Sequence, residues 1–440
     1  MICKIAQGFA LMIVMLTATV TLAEERSYTL EDAYQSALGT NEYMKIAEEG
    51  VVQSDSRVDQ AWSYLYPRIA GQAGYTRYNE VLPAGGGSFV FQPLEQFNAG
   101  LILSQPLYTG GRTLAALRTA KTLSEKSRKD FSTEKENTML GVASAYFEVL
   151  KSRKKVEKSR DSVARMERHK EVTEREAATR KSKANISSLL RARTLVSQAK
   201  IFLVRDEDML RIARQQLILV ARVPEDAVLT EPPPEQLPAE TIDDLKALAL
   251  QNRDDYLASQ LNQKIAEENI TIVKGGHYPQ AYAEGALQYL NSSPETITDG
   301  TIYYGGLRLV VPIFEGGLMK AEVSEARSKK RQSELATQYL RRSIETDVYE
   351  AYVNYQTLNS VLKAAGLQYA DAKENFNTVE SLFGQGLVPS LALIDAQQAL
   401  FVTERELVNA TYDEQLAVLR VKRSIGMLGK EKRQDAGRGK

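Results

Sequence analysis

Residues 100–112 read GLILSQPLYTGGR and residues 306–318 read GLRLVVPIFEGGL. Each copy is an alternating apolar run closed by a proline, then an aromatic residue, a Gly-Gly pair and a long charged helical pattern. Pro106 and Pro312, Gly110 and Gly316, and Tyr146 and Tyr352 all stand 206 residues apart, so the register persists well beyond the motif. A chain of 440 residues carrying this repeat divides into two halves of similar build rather than two unrelated domains. The first half is expected over 24–223 and the second over 241–426. Between them lies VPEDAVLTEPPPEQLPA at 224–240, where Pro232 to Pro234 forbid helix and predict an extended linker.

The first residues carry Lys4, an apolar run from Phe9 to Val20 and the small cleavage-type segment Thr21-Leu22-Ala23. Residues 1–23 therefore read as a secretory signal peptide, with the mature chain beginning near Glu24. The single cysteine, Cys3, precedes the apolar run and would leave with it, so no disulfide or thiolate metal site is expected. Lys plus Arg and Asp plus Glu both number 56, a balance without the field that attracts nucleic acid. No other stretch approaches the 18 or so consecutive apolar residues of a membrane-spanning helix. If the mature chain enters a membrane, strands must carry it there.

Four alternating segments are candidates: 68–79, 97–107, 280–291 and 303–313. Each has about the length of a tilted membrane strand. Ala281, Ala283, Leu287 and Tyr289 share one face, as do Tyr303, Leu307, Leu309 and Val311, while Glu284, Gln288 and Arg308 lie on the other. Strand by strand, a soluble sheet with its apolar face turned to a core fits equally well; the export signal shifts the balance to a barrel wall around water. Pro67 and Pro279 precede the first and third strands, and Pro106 and Pro312 are expected to end the second and fourth. The intervening loops, 80–96 (with Gly85 to Gly87) and 292–302, fit exposed tips. Four strands leave two open edges, which lipid does not tolerate, so several chains must share one barrel. Two chains give eight strands and a filled interior; three give twelve and room for a channel.

After Gly111 the chain runs to about Arg180 without proline, a predicted helix on the order of 100 Å long. The matching run from Leu318 to Phe383 is broken by Gly384-Gln385-Gly386-Leu387-Val388-Pro389. The return helices carry heptad seams at Val196, Ala199, Leu203, Asp206, Leu210, Ala213, Leu217 and Val220, and at Leu400, Thr403, Leu407, Ala410, Glu414, Ala417, Val421 and Ser424. These are 204 residues apart, which places a two-residue difference near the hairpin tips. Each return reaches about half the outgoing length, and helical patterns over 30–66 and 242–273 can match the rest. Thr29 and Thr241 are positioned to cap them.

The paired PLYTGGR and PIFEGGL segments, with GQGLVPSLALIDAQQALFVTERELVNA at 384–410, resemble the outer membrane factor family of TolC-like channels, and the likeness covers essentially the whole mature chain. That resemblance implies a fold that is mostly α with a small transmembrane β part: two tandem β-β-α-α repeats, long antiparallel helical hairpins forming an α-barrel, and four strands per chain in a trimeric twelve-stranded β-barrel. It implies a homotrimer in the Gram-negative outer membrane with most of its mass in the periplasm, and a belt formed by the linker and terminal segments. The implied partners are outer membrane lipid, a periplasmic adaptor (membrane fusion) protein and an inner-membrane RND, ABC or MFS transporter. Family members close the tunnel with acidic rings after the second tip; Asp395 resembles one ring residue, while the other acidic position holds Ala392. Where the family can carry a restraining Tyr and Arg, this chain has Phe383 and Val388. The first tip, Lys181 to Ser188, lacks the usual glycine and aspartate.

Blander readings stand beside these. Asp395 alone fits a solvated helix-start acid. His169 and His277 have no Cys, Asp or Glu at ligand spacing and read as surface or structural residues. Lys151, Arg153, Lys154 and Lys155 read as a solvated helix face. Gly110-Gly111 and Gly316-Gly317 lack a phosphate-loop lysine and read as hinges, Gly384, Gly386 and Pro389 mark the second hairpin tip, and the tail after Gly426 reads as disordered. No nucleophile with a paired base is evident, so neither catalysis nor a cofactor, metal or nucleic acid is expected. The expected role is a passive outer-membrane exit channel for efflux or type I secretion; the alternative is a soluble periplasmic coiled-coil adaptor.

Overall fold

The computed structural model describes residues 27–83, 90–179, 183–235, 237, 241–296 and 298–430. The expected signal peptide, the Gly85 to Gly87 loop, Arg180 to Ser182 of the first tip, part of the linker and the last ten residues of the tail lie outside the described residues. In chain order the elements are β1 (Ser27–Tyr28), α1 (Leu30–Thr40), α2 (Glu42–Ser63), β2 (Arg68–Arg77), β3 (Leu82–Pro83), β4 (Val90–Gln92), β5 (Glu95–Thr109), α3 (Arg112–Thr179) and α4 (Lys183–Ala221). They continue with β6 (Val228–Leu229), α5 (Ile242–Asn252), α6 (Asp254–Lys274), a 3-10 turn at Gly275–His277, β7 (Gln280–Ser293), β8 (Gly300–Val310), α7 (Leu318–Gly384) and α8 (Ser390–Ser424). The fold is mostly α with a small β part.

One antiparallel sheet, ordered β2-β5-β7-β8, holds the four long strands. Its middle pair joins the two halves, and β2 and β8 are its edges. The strands differ from expectation at their ends. Pro106 does not end its strand: β5 continues to Thr109 because β7 still pairs with it, and the register shifts between Pro106 and Tyr108. A bulge is where a ladder tolerates a residue without an N–H. In contrast β8 stops at Val310, opposite the first residue of β7, so residues 311–313 have no strand to lie against and Pro312 falls outside it.

Beyond the sheet, each Gly-Gly pair turns the chain into a long helix. Gly110, Gly111, Gly316 and Gly317 all have positive φ, a region that favours residues without Cβ. Helix α3 has 68 residues and α7 has 67, each about 100 Å at 1.5 Å per residue. The helical patterns over 30–66 and 242–273 are each split in two. Asn41 and Arg253 adopt extended backbone at the breaks. Asn41 caps α2 through Tyr43 N–H while donating to the Val220 carbonyl, and the buried Arg253 side chain reaches Asp255, Asp347 and the Ser424 carbonyl. Bonding to the ends of α4 and α8 fixes both breaks where the return helices stop. Thr29 and Thr241 each form a capping box, with Asp32 and Asp244.

At that same level, β1 pairs in parallel with β6 of the linker, and the Tyr146 hydroxyl donates toward the Tyr28 and Thr230 carbonyls at 2.7 Å each. The described residues after Gly426 pack against the helices where disorder was expected: Leu428 is buried with Met139 and Tyr146, and Lys430 pairs with Glu136 and Asp254. Burial raises the Glu136 carboxyl above its ordinary range.

The helices form a layer. α3 packs against α2, α4, α6 and α8, and α7 against α5, α6 and α8. Both heptad seams are buried or half-buried against these neighbours, Ala213 and Leu217 on one side and Leu400, Ala417 and Val421 on the other. Charged clamps join the hairpins: Arg405 grips Asp206, which also accepts from Ser159 Oγ at 2.5 Å, and Arg165 meets Glu404 at 2.9 Å with both side chains nearly buried. Nearer the tips, His169 is 3% exposed, lies 3.0 Å from Ser390 Oγ through Nε2, and its ring centroid is 5.6 Å from that of Phe383. Burial holds the His169 pKa below its ordinary value, against the opposing pull of Glu176.

Two outcomes follow from this packing. A Cβ on Gly110 would collide with the Gly275 carbonyl and crowd Tyr278, whereas Gly316 has a similar φ and open space around it. Gly110→Ala should destabilise by about 2 kcal/mol or more, and Gly316→Ala by about 1 kcal/mol; equal melting temperatures for the two variants, followed by the helical circular dichroism signal, would refute the close junction. Because the folded-state pKa of His169 is depressed, the unfolded chain binds its proton first, so its contribution is present above the ordinary histidine range and is lost as pH falls through it. The melting temperature gap between the native protein and His169→Gln should therefore be larger at pH 8 than at pH 5.

Candidate functional site

Alternation along each strand sorts the sheet into two faces, and the pairing fixes which residues share one. One face carries Ile69, Tyr75, Phe97, Leu101, Leu103, Leu287, Tyr289, Tyr303, Leu307 and Leu309 in cross-strand rows such as Gly71, Leu101, Leu287 and Tyr303. All ten of these large apolar side chains are exposed. The contiguous patch exceeds what scattered surface residues produce and marks an interaction surface.

The other face is mixed and more polar. It carries Arg68, Gln72, Asn98, Ser104, Glu284, Gln288 and Arg308, with Ile102 and Ile302 among them. Glu284 and Arg308, which the alternation assigned to one side, are in contact: Arg308 Nε donates to Glu284 Oε1 at 2.7 Å, and its guanidinium sits 5.1 Å from the centre of the Tyr282 ring. Gln288 lies on the same face two layers further from the helices, beyond Ala286. Tyr282 and Arg68 were not singled out from sequence; both sit at the helix-proximal end of this face, where Arg68 lies over Tyr64. The alternation already placed them, but only the register shows how close they come to Glu284.

The second hairpin tip is built on glycine. Gly386 has φ +74°, its N–H reaches the Phe383 carbonyl at 2.9 Å, and Leu387 N–H reaches the Leu382 carbonyl at 3.0 Å. This six-to-one and five-to-two pairing closes α7 after its last residue, Gly384. Pro389 then takes the N-cap position of α8. Asp395 lies in the second turn of α8, exposed, and no salt bridge to it is found among the described residues. Ala392, Val388 and Phe383 are half-buried. The structure brings Phe383 to His169 of the first hairpin, so an aromatic–imidazole contact and the His169–Ser390 hydrogen bond occupy the place between hairpins.

His169 is thus a buried structural residue, while His277 is exposed at the end of the 3-10 turn. The basic run from Lys151 to Lys155 is not simply a solvated face. Lys151 pairs with Glu148 at 2.6 Å and Asp413 at 3.4 Å, and Arg153 donates to the Leu229 carbonyl of the linker at 2.9 Å. Burial lowers the Lys155 ammonium, with Lys151 and Arg405 adding to the effect. Asp206 stood out in its seam as a polar residue, which was the signal for a partner; that partner, Arg405, is 199 positions away in sequence and could not be named from it. Among the described residues no group of His, Cys, Asp or Glu is placed to hold a metal, and no helix is long and apolar enough to cross a membrane.

Comparison with known proteins agrees with this arrangement. The outer membrane protein TolC of Vibrio cholerae is 25% identical over 397 residues, covering 87% of this chain and 87% of that protein. The pyoverdine export outer membrane protein OpmQ of Pseudomonas aeruginosa is 24% identical over 416 residues, covering 90% of this chain and 84% of its own. Among solved structures, a membrane protein from Pseudomonas aeruginosa superposes with a TM-score of 0.78 at 18% identity, over 90% of this chain and 93% of the other. The outer membrane protein VceC of Vibrio cholerae gives a TM-score of 0.76 at 15% identity, over 90% and 96%. At these identities the structures establish the fold. The profile of the outer membrane efflux protein family matches residues 33–221 and 245–427, which is most of both halves. The chain belongs to the outer membrane efflux protein family, and its place is the outer membrane of a Gram-negative cell.

Proposed function

We propose that this protein is the passive exit duct of a tripartite efflux pump or a type I secretion system, in which three copies close one twelve-stranded barrel and continue it as a helical tunnel into the periplasm. The observation that carries this reading is the four-stranded sheet with two unpaired edges and a wholly exposed apolar face, joined through glycine hinges to helices about 100 Å long. A single copy cannot bury that face or pair those edges. Three copies turn the apolar face to lipid and the face with Arg68, Glu284, Gln288 and Arg308 to a water-filled lumen.

The helical layer has matching free borders. α7 lies on one side, with α2 and α4 on the other, so copies adjoin along the whole length. The hairpin tips then form the periplasmic end, where a membrane fusion adaptor meets the duct and an inner-membrane RND, ABC or MFS transporter supplies the energy. Asp395 is placed as one carboxylate of a ring about that entrance; three carboxylates near a narrow axis attract cations. With Ala392, Val388 and Phe383 at the neighbouring positions, closure depends on packing of the hairpins, including His169 against Phe383 and Ser390. The protein in this reading is a conduit, and chemistry on the cargo has no place in it.

A soluble periplasmic adaptor is the other reading. It is disfavoured because both long hairpins here issue from strand pairs of one shared sheet with no apolar core on either side. Membrane fractionation separates the two: the duct is expected in the outer membrane as an oligomer that dissociates only on heating, and a soluble monomer would sink it. For the gate, Asp395→Ala should reduce cation preference in planar bilayers, seen as a shifted reversal potential under a salt gradient. Unchanged conductance and reversal potential would remove Asp395 from the entrance.

A further inference from the structure

The internal repeat specifies how one copy meets the next. Strand β5 corresponds to β8 by the 206-residue step, as Pro106 does to Pro312, and β2 corresponds to β7 by a 212-residue step, as Tyr66-Pro67 does to Tyr278-Pro279. The observed pairing checks both steps. Arg68 lies opposite Ser104, and the shifted residues, Gln280 and Val310, lie opposite each other; Tyr75 faces Phe97, and Leu287 faces Tyr303 in the same way. The two hairpins therefore have the same register. Within the chain, the seam β5–β7 joins the second strand of one half to the first strand of the other. Its counterpart is β8 against β2, and these are the two free edges.

We propose that β8 of one subunit pairs antiparallel with β2 of the next in the register obtained by shifting the β5–β7 seam. Leu103 opposite Gly285 becomes Leu309 opposite Ala73 of the next subunit, Leu101 opposite Leu287 becomes Leu307 opposite Tyr75, Tyr108 opposite Ala281 becomes Phe314 opposite Ile69, and Thr109 opposite Gln280 becomes Glu315 opposite Arg68. This deepens the proposed ring and rests on it.

Three observations that did not enter the shift agree with its outcome. Glu315 and Arg68 carry opposite charge, although the residues they derive from, Thr109 and Gln280, carry none. Ile313 and Phe314 are 94% and 88% exposed in the isolated chain, and their segment lacks a strand partner where its counterpart in β5 has one. A neighbour's β2 extends β8 through that segment and gives its backbone the partner that β7 gives the counterpart in β5. Further down, the seam between α3 and α8 holds the nearly buried pair Arg165–Glu404. Shifted by 206 and 204 residues, it becomes Asp371 on α7 opposite Lys200 on α4 of the next subunit, again opposite charges with the signs exchanged. In the isolated chain Lys200 reaches Glu167 of the adjacent α3 at 2.8 Å.

The register is tested by cysteine pairs in the full-length protein, whose only native cysteine is Cys3. Directly opposed residues on antiparallel strands have Cα atoms about 4.5–5.5 Å apart, within disulfide reach, and a same-face slip of two residues opens this to about 7–8 Å. Within one copy β2 and β8 are three strand spacings apart, about 14 Å, so a bond between them must join two subunits. On oxidation, Ala73→Cys with Leu309→Cys should give a ladder ending at a covalent trimer on a non-reducing gel. Ala73→Cys with Leu307→Cys or with Val311→Cys should give at least tenfold less. An outer-membrane oligomer that crosslinks better through a slipped pair, or through none of the three, overturns the register and leaves the duct standing; a dispersed monomer overturns both. Independently, Arg68→Glu should lower the temperature at which the oligomer dissociates, and adding Glu315→Arg should restore it. Failure of the exchange to restore it removes the Arg68–Glu315 contact from the interface.

Discussion

A strand edge in hydrocarbon presents a row of N–H and C=O groups with no water to satisfy them, and each unsatisfied group costs several kcal/mol. The sheet of this protein has two such edges, β2 and β8, together with an apolar face that nothing in the chain covers. Everything proposed for the protein follows from that incompleteness. The same four strands in a soluble molecule would be an aggregation hazard. As a third of a closed wall they have no edge at all.

The helices extend the condition downward. A 68-residue helix cannot curl back into a compact core, so its buried surface comes from side-by-side packing along its length. The small residues of the return seams, Ala199, Ala213, Ala410 and Ala417 among them, let axes approach closely. Of the polar residues in the seams, Asp206 is clamped by Arg405 and Ser159. Removing one partner of such a buried pair leaves an uncompensated charge, which makes these clamps fix alignment between hairpins more than they add stability. The level of Asn41, Arg253 and Tyr146 ties the linker, both return helices and the chain end to the two long rods. Those ties lie near the midpoint of the rods and leave the tips below attached mainly by their own packing.

Much was legible in the sequence because the periods are strong and stated twice. Alternation over 280–291 showed which residues share a face, the Gly-Gly pairs showed where strand gives way to helix, and proline-free runs showed the rods. Thr29 and Thr241, read as caps, do cap their helices, each in a capping box with the aspartate three positions on. Errors came where a distant partner overrides local preference. Pro106 is carried inside a strand because β7 continues beside it, while residues 311–313, with similar alternation, find no partner within the chain. Helix breaks at Asn41 and Arg253 are decided by bonds to Val220 and Ser424, far away in sequence. Lys430, in the tail expected to be disordered, is held by Glu136 and Asp254.

The chain alone determined its division into two equivalent halves, the lengths of its rods and the two faces of its strands, since all of these are local periodicities or counts. The tertiary structure decided the strand order, the register, and the pairing of Arg308 with Glu284, Arg405 with Asp206 and His169 with Ser390. Those contacts join residues from 24 to 221 positions apart. No local propensity encodes them: Arg308 meets Glu284 through the register of β7 against β8, and the other two contacts arise only when two halves, each unable to bury its own surface, are laid against one another.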